Sequence, residues 1–364
     1  MANGAPQIRT VGIDRALDTV RRIQFEMLDI LRCAQGDAVA AWGVGPSECP
    51  YRVAASGEYW RLRDYGDADN PQSLLIVAAP IKRPYIWDLA PSASALRYCL
   101  ANELHVYLLE WMPASRQTAG TGIEECAFAI AECIRQISNK LADRKPFLIG
   151  HSLGGTLAAI YAAMAPESVG ALVLLGAPLC FRPGTSQFRD TLVSLVPPDF
   201  SEADPFPGSL LSHMSALASP GTFIWSRLMD AALSIPDARA RDIHARVERW
   251  ALDEVPLPGK LVRQIITELY RENRLCRGAL RVGGALIGPS ALAVPTLAAV
   301  NVADEVAPLA SVQPFVDAMP TKDIRVIEHA GEVGVGLQHL GILIGREALA
   351  EVWPEIISWM KSHG

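Results

Sequence analysis

Residues 146–163 constrain the fold more than any other stretch, because an apolar run, a glycine-rich turn carrying a serine and a small-residue helix follow one another without a linker. Pro146-Phe147-Leu148-Ile149 reads as a buried strand, and Thr156-Leu157-Ala158-Ala159-Ile160-Tyr161-Ala162-Ala163 as a helix that closes before Pro166. Gly150-His151-Ser152-Leu153-Gly154-Gly155 must then turn the chain sharply between them. Glycine at 150 and 154 removes the Cβ atoms that would clash in such a turn, and Gly155 lets the helix pack closely on the strand. A serine in that place is held exposed and strained. The free N–H groups at the helix start, Leu153 first, point where an oxyanion would form during attack on an ester or thioester carbonyl. A bare G-x-S-x-G also marks ordinary turns; the strand before it, the helix after it and the second apolar run Ala171-Leu172-Val173-Leu174-Leu175 set this one apart.

The flanking segments continue the alternation. Glu58 to Tyr65 alternates and reads as an antiparallel strand, and Ser73 to Ala78 as a buried one; helices are expected near Ser94 to Asn102 and Gly122 to Leu141, with a strand at His105 to Trp111 between them. This β-α-β-α-β order predicts an α/β fold with a doubly wound, mostly parallel sheet, helices on both faces and a functional edge at the strands' C-terminal ends. From about Cys180 to Gly288 the alternation gives way to helical segments and prolines, Pro197 and Pro198 among them, which reads as a helical lid inserted between two sheet strands. The sheet resumes at Val294 to Val300 and Ile324 to Glu328, and a helix from about Arg346 to Lys361 ends the chain. Gly283, Gly284 and Gly288 do not have dinucleotide-fingerprint spacing and read as turn glycines. An amphipathic helix over Ile13 to Leu31 precedes a Gly/Pro-rich link at Gly43 to Pro50. The expected organisation is therefore a helical extension (1–57), a core of 58–179 with 289–364, and a lid of 180–288. The N-terminal helix docks on its own domain or offers a face to a partner subunit or a second copy.

Charge excludes one class of partner. A net charge of −6 with scattered Lys and Arg gives no electrostatic footprint for nucleic acid. No apolar run reaches the roughly 18–20 residues of a transmembrane helix, and Met1 to Pro6 has no basic region followed by an apolar one, so a cytoplasmic protein is expected. The 7 cysteines include no C-x-x-C pair and no accompanying histidine spacing. They read as small buried thiols, with no disulfide framework and no metal site. No cofactor is expected.

A serine hydroxyl needs a histidine to take its proton and a carboxylate to orient that histidine, in the chain order serine, acid, histidine for this type of sheet. Asp304 lies in the loop after the Val294–Val300 strand and is the expected acid; Glu305 beside it is the alternative. His339, between the last strand and the last helix, is the expected base. His329 ends a strand, His363 lies in the terminal tail, and His151 beside the serine is committed to another direction. A second oxyanion donor belongs in the loop after Ser73–Ala78, where Pro80 has no N–H and Ile81 is the candidate.

The segment Ile81-Lys82-Arg83-Pro84-Tyr85-Ile86-Trp87-Asp88-Leu89, with Leu74–Val77, Leu96-Arg97-Tyr98, Val106 to Trp111, His339-Leu340-Gly341, Gly345-Arg346 and Val352-Trp353-Pro354, resembles the polyhydroxyalkanoate synthase family of α/β-hydrolase-fold proteins. The likeness covers most of the chain from about Glu58 onward, outside much of the lid. It implies an elbow nucleophile, a late aspartate and a C-terminal histidine, which fall on Ser152, Asp304 and His339. It also implies substrates such as hydroxyacyl-CoA or a polyester. The chain departs from the family at the nucleophile, because the synthases use cysteine where this chain has Ser152. A serine acyl-enzyme is an oxoester: loading it from a thioester is downhill, reloading is not, and release to water is the natural outcome. The residues thus point first to hydrolysis of an ester or thioester, second to synthase-like acyl transfer or polymerisation, and third to a non-catalytic scaffold or partner subunit.

Overall fold

Leu74-Leu75-Ile76-Val77, Phe147-Leu148-Ile149 and Leu172-Val173-Leu174-Leu175 are apolar without alternation, the pattern of strands covered on both faces. In the computed structural model, which describes residues 8–66, 72–139, 144–196 and 201–364, they lie at the centre of an eight-stranded sheet. Its strands are β1 (Arg52–Ser56), β2 (Trp60–Asp64), β3 (Gln72–Val77), β4 (Leu104–Trp111), β5 (Phe147–His151), β6 (Leu172–Leu175), β9 (Thr296–Asn301) and β10 (Ile324–His329), while β7 (Leu280–Val282) and β8 (Ala285–Ile287) form a separate hairpin. The spatial order is β1-β2-β4-β3-β5-β6-β9-β10. All pairs from β4 to β10 are parallel, and only β1 and β2 run against their neighbours. The α/β-hydrolase fold expected from the sequence is what the chain adopts.

The helices are α1 (Ile8–Val39), α2 (Ala95–Ala101), α3 (Ile123–Ser138), α4 (Leu153–Met164), α5 (Gln187–Leu195), α6 (Gly208–Ala218), α7 (Ser226–Ser234), α8 (Ala238–Ala251), α9 (Gly259–Gln264), α10 (Gln313–Val316), α11 (Gln338–Ile344) and α12 (Trp353–Lys361). Alternation along each strand feeds two cores. Leu75, Val77, Leu148 and Leu174 meet α3 and α4 through Ile130, Ile134 and Leu157. Leu74, Ile76, Ile149 and Val173 meet α2, α11 and α12 through Leu96, Leu343 and Trp353 on the other face. Residues Leu153 to Ala163 of α4 are all buried, and its small side chains let it lie close on the sheet. The chain leaves β5, β9 and β10 at the same edge of the sheet, which is where the candidate site forms.

Between β6 and β9 the chain leaves the sheet for α5 to α9 and the β7–β8 hairpin. Part of this segment has its own small core, with Phe188, Leu192, Val262 and Ile266 packed together. Gly283 and Gly284 turn the hairpin at φ 57° and 80°, as a tight two-residue turn demands. Helix α1 docks on the segment through polar contacts: Asp29 accepts from the N–H groups of Gly208 (3.1 Å) and Ser209 (2.7 Å) at the start of α6, Arg22 pairs with Asp204, and Arg32 with Glu254. Its Val20, Ile23, Met27, Ile30 and Leu31 remain exposed.

Three sequence expectations need correction. Residues 52–56, placed in the helical extension, form β1 and pair with β2, so the sheet begins inside that segment. The strand escaped notice because Arg52-Val53-Ala54-Ala55-Ser56 is an edge strand with only partial burial and no apolar face of its own. Helix α1 runs to Val39 rather than Leu31. Cys180 and Cys276, expected as thiols, are joined in a disulfide with a Cα–Cα separation of 5.0 Å, while Cys33, Cys49, Cys99, Cys126 and Cys133 are free. Sequence spacing carried no sign of that bridge. Pro197, Pro198, Leu141 and Met1 to Pro6, used in the sequence reading, lie outside the described residues.

Candidate active site

Ser152 stands between the end of β5 and the first residue of α4, with φ 56° and ψ −134°. A left-handed φ is costly for a residue with a Cβ and persists only where the surroundings impose it. Here the Ser152 N–H donates to the Leu175 carbonyl (3.0 Å), and its own carbonyl accepts from the Thr156 N–H (3.1 Å). The glycines make the turn possible. A Cβ on Gly150 would meet the Gly155 backbone at 2.6 Å, and one on Gly154 would run into the Val77 carbonyl of the neighbouring strand.

Asp304 follows β9 in a loop closed by its N–H to the Asn301 carbonyl (3.0 Å). Its Oδ1 accepts from the N–H groups of Val306 (2.8 Å) and Ala307 (3.3 Å), and its Oδ2 accepts from His339 Nδ1 at 2.6 Å. Burial alone would raise the Asp304 carboxyl, but the His339 ring and the two loop N–H groups outweigh it and hold the group below the usual carboxylate range. Glu305, the alternative acid, faces elsewhere and accepts from the hydroxyls of Ser219 (3.1 Å) and Thr222. A shift of one residue in the loop separates the two roles.

His339 sits in the first turn of α11, buried, with Asp304 on its Nδ1. Among the described residues its Nε2 is a buried nitrogen with no hydrogen-bond partner, and His339 and Ser152 line the same cavity. The other two histidines after Asp304 have carboxylate partners of their own and do not line this cavity. His329 is buried against Glu332 at 3.2 Å, and His363 pairs with Asp323 at 2.9 Å. His151 donates from Nε2 to the His339 carbonyl (2.7 Å), with the two rings 4.5 Å apart. Leu153 and Ile81 also line the cavity, Leu153 as the first residue of α4, whose N–H has no acceptor within the helix.

The fully buried His151 is pushed down to about 3, first by desolvation and next by the nearby His339 ring. The unfolded chain takes up this proton near its ordinary value of 6.5, so between about pH 3 and 6.5 the unfolded state binds more protons and stability rises with pH. The expected slope is up to about 1.4 kcal/mol per pH unit, lost as the solution is acidified. Urea unfolding at pH 5 and pH 7 should show a smaller difference for His151→Gln than for the wild type; an equal difference would remove His151 as its source.

The cavity is about 630 Å³. Much of its wall is apolar, from Phe181, Phe188, Leu192, Phe223 and Tyr270, and it also carries Arg32, Lys82, Arg83 and Arg227 with no aspartate or glutamate among the described lining residues. Lys82 was overlooked in the sequence. It holds a left-handed φ of 69° beside the Ile81 loop and pairs with Glu254 at 2.7 Å, and burial lowers its affinity for a proton despite that partner. Its only sequence signal was its place next to Ile81. No group of three or more His, Cys, Asp or Glu side chains that could hold a metal occurs among the described residues, and none of their helices is long and apolar enough to cross a membrane.

Comparison with known proteins agrees with this fold. A family model described as "alpha/beta hydrolase fold" matches residues 89–214. The chain is 27% identical over 363 residues to the poly(3-hydroxyalkanoate) polymerase subunit PhaC of Haloferax mediterranei, covering 96% of this chain and 72% of that protein. It is 26% identical to the PhaC subunit of Synechocystis sp., covering 98% of this chain and 96% of the relative. Among solved structures, a monoacylglycerol lipase of Paleococcus ferrophilus shares the fold with a TM-score of 0.50 at 18% identity, covering 80% of this chain and 95% of the lipase. A thermophilic esterase of Thermogutta terrifontis does so with a TM-score of 0.51 at 13% identity, covering 87% and 99%.

Proposed function

Since the chain is a polyhydroxyalkanoate-synthase-like protein of the α/β-hydrolase fold and an enzyme of acyl chemistry, we propose that it is a serine hydrolase that cleaves an ester or thioester of a hydroxyacyl or polyester substrate. The observation that carries this reading is the buried His339–Asp304 pair, whose unpartnered Nε2 shares a cavity with the strained Ser152. His339 Nε2 takes the Ser152 proton as Oγ attacks the carbonyl carbon, and the N–H groups of Leu153 and Ile81 receive the oxyanion. Collapse of the tetrahedral species breaks the bond to the leaving alcohol or thiol, which takes the proton back from His339. Water, deprotonated by the same nitrogen, then attacks the acyl-serine and releases the acid. The apolar wall suits an acyl chain, whereas Arg32 and Lys82 are paired with Glu254 and Arg227 with Glu248.

Synthase-like transfer is the second reading, favoured by the near full-length similarity to polymerase subunits. Incubation with a 3-hydroxyacyl-CoA separates the two. The expected products are free hydroxy acid and CoA, with Ser152→Cys shifting the balance toward oligomer because thiol and thioester exchange nearly isoenergetically. Polymer from the wild type would overturn the order of the two readings, and cleavage of neither CoA esters nor a panel of oxoesters would end the hydrolase reading.

A further inference from the structure

We propose that Asp230, on helix α7 of the inserted segment, is the positioning residue for His339, so that the base is set from two sides of the cavity. The assignment rests on His339 being the base.

Asp230 is buried, and its carboxylate is divided between one loop, through Gly334 and Gly336, and His244 of helix α8. Oδ1 accepts from the Gly334 N–H at 2.7 Å, while Oδ2 accepts from the Gly336 N–H at 2.8 Å and from His244 Nδ1 at 2.7 Å. Gly336 is followed three residues later by His339, and the chain between them is already committed: Leu337 donates to the Val335 carbonyl (2.7 Å) and Leu340 to the Leu337 carbonyl (2.8 Å), which leads into α11. Displacing Gly336 therefore displaces the first turn that carries His339.

The loop also has no slack against the inserted helices. Gly334 and Gly336 hold φ of 86° and 71°, and a Cβ on either would meet Ala240 Cβ or Val247 Cγ1 of α8 at 2.8 Å. Backbone thus lies directly on α8, with Asp230 as the polar clamp. From the opposite side, Asn301 at the end of β9 donates to the Gln338 carbonyl at 3.0 Å and Asp304 holds the ring. The sheet fixes the ring's partner, and the inserted segment fixes the approach of its backbone. Outer groups that orient metal-ligating histidines change activity about 10–100-fold when removed, and a group that orients a catalytic base through its backbone is expected to act on the same scale.

The test reads the rate at which a fluorophosphonate labels Ser152, because that rate needs the base while the final labelled fraction counts folded sites. Asp230→Asn is expected to slow labelling about 10–100-fold with the final stoichiometry unchanged, and Asp230→Glu, which keeps the charge, to fall between it and the wild type. In a His339→Ala background the Asp230→Asn change should add nothing. A wild-type labelling rate in both Asp230 variants, a reduced labelled fraction at unchanged rate, or a full additional loss in the His339→Ala background would overturn the assignment. Those failures leave the serine reading standing if the wild type labels at Ser152; a wild type that never labels removes both.

Discussion

Replacing Ser152 by alanine is expected to lower kcat for ester cleavage by roughly 10⁵–10⁶-fold, the loss typical of removing a nucleophile from a serine, histidine and aspartate set. The reason is chemical rather than structural. The backbone bonds that hold position 152, to Leu175 and from Thr156, do not involve the side chain, and alanine meets the same left-handed strain as serine. Unfolding should therefore shift little while turnover disappears. Residual activity within tenfold of the wild type would mean that the reaction does not pass through Ser152, and an inactive wild type with an intact fold would favour the scaffold reading instead.

Asp304→Asn should cost about 10⁴-fold in kcat. The carboxylate accepts the Nδ1 proton of His339 at 2.6 Å, which leaves Nε2 bare to take the serine proton. An amide that turns its NH₂ toward the ring would donate to Nδ1, place the ring proton on Nε2 and remove the base. The Val306 and Ala307 N–H groups that hold Oδ1 favour that orientation, because they need the remaining oxygen. Glu305 offers no substitute, since its carboxylate is occupied by Ser219 and Thr222; Glu305→Gln should stay within a few-fold of the wild type. Steady-state kinetics on the two variants decide between the neighbours. Comparable losses in both would show that the loop, not the Asp304 carboxylate, matters.

The sequence carried the parallel sheet and the turn at Ser152 because both depend on local patterns: apolar runs without alternation at β3, β5 and β6, and glycines where backbone passes backbone. Asp304 and His339 could be chosen by their place after sheet strands, and they meet across 35 residues of chain. Other features had no local signature. Asp230 reaches Gly334 across 104 residues and Cys180 reaches Cys276 across 96, and nothing in the composition around either end anticipates its partner. Strand β1 was invisible for a different reason, since an edge strand shows its identity only through its neighbour. The helix over α1 was read from its periodicity, yet Val20, Met27 and Leu31 of that pattern remain exposed, and Asp29, Arg22 and Arg32 contribute polar docking contacts.

The bridge between Cys180 and Cys276 turns the inserted segment into a covalent ring, because its two ends lie just after β6 and just before β7. A ring of that size restricts the unfolded chain by about 4–5 kcal/mol. It also changes what a single break can do. One cut anywhere along α5 to α9 leaves both new ends tethered to the sheet through the sulfurs, so the pieces that wall the cavity remain part of one molecule. The connection from Ser152 to His339 would then run through the bridge instead of the severed polypeptide.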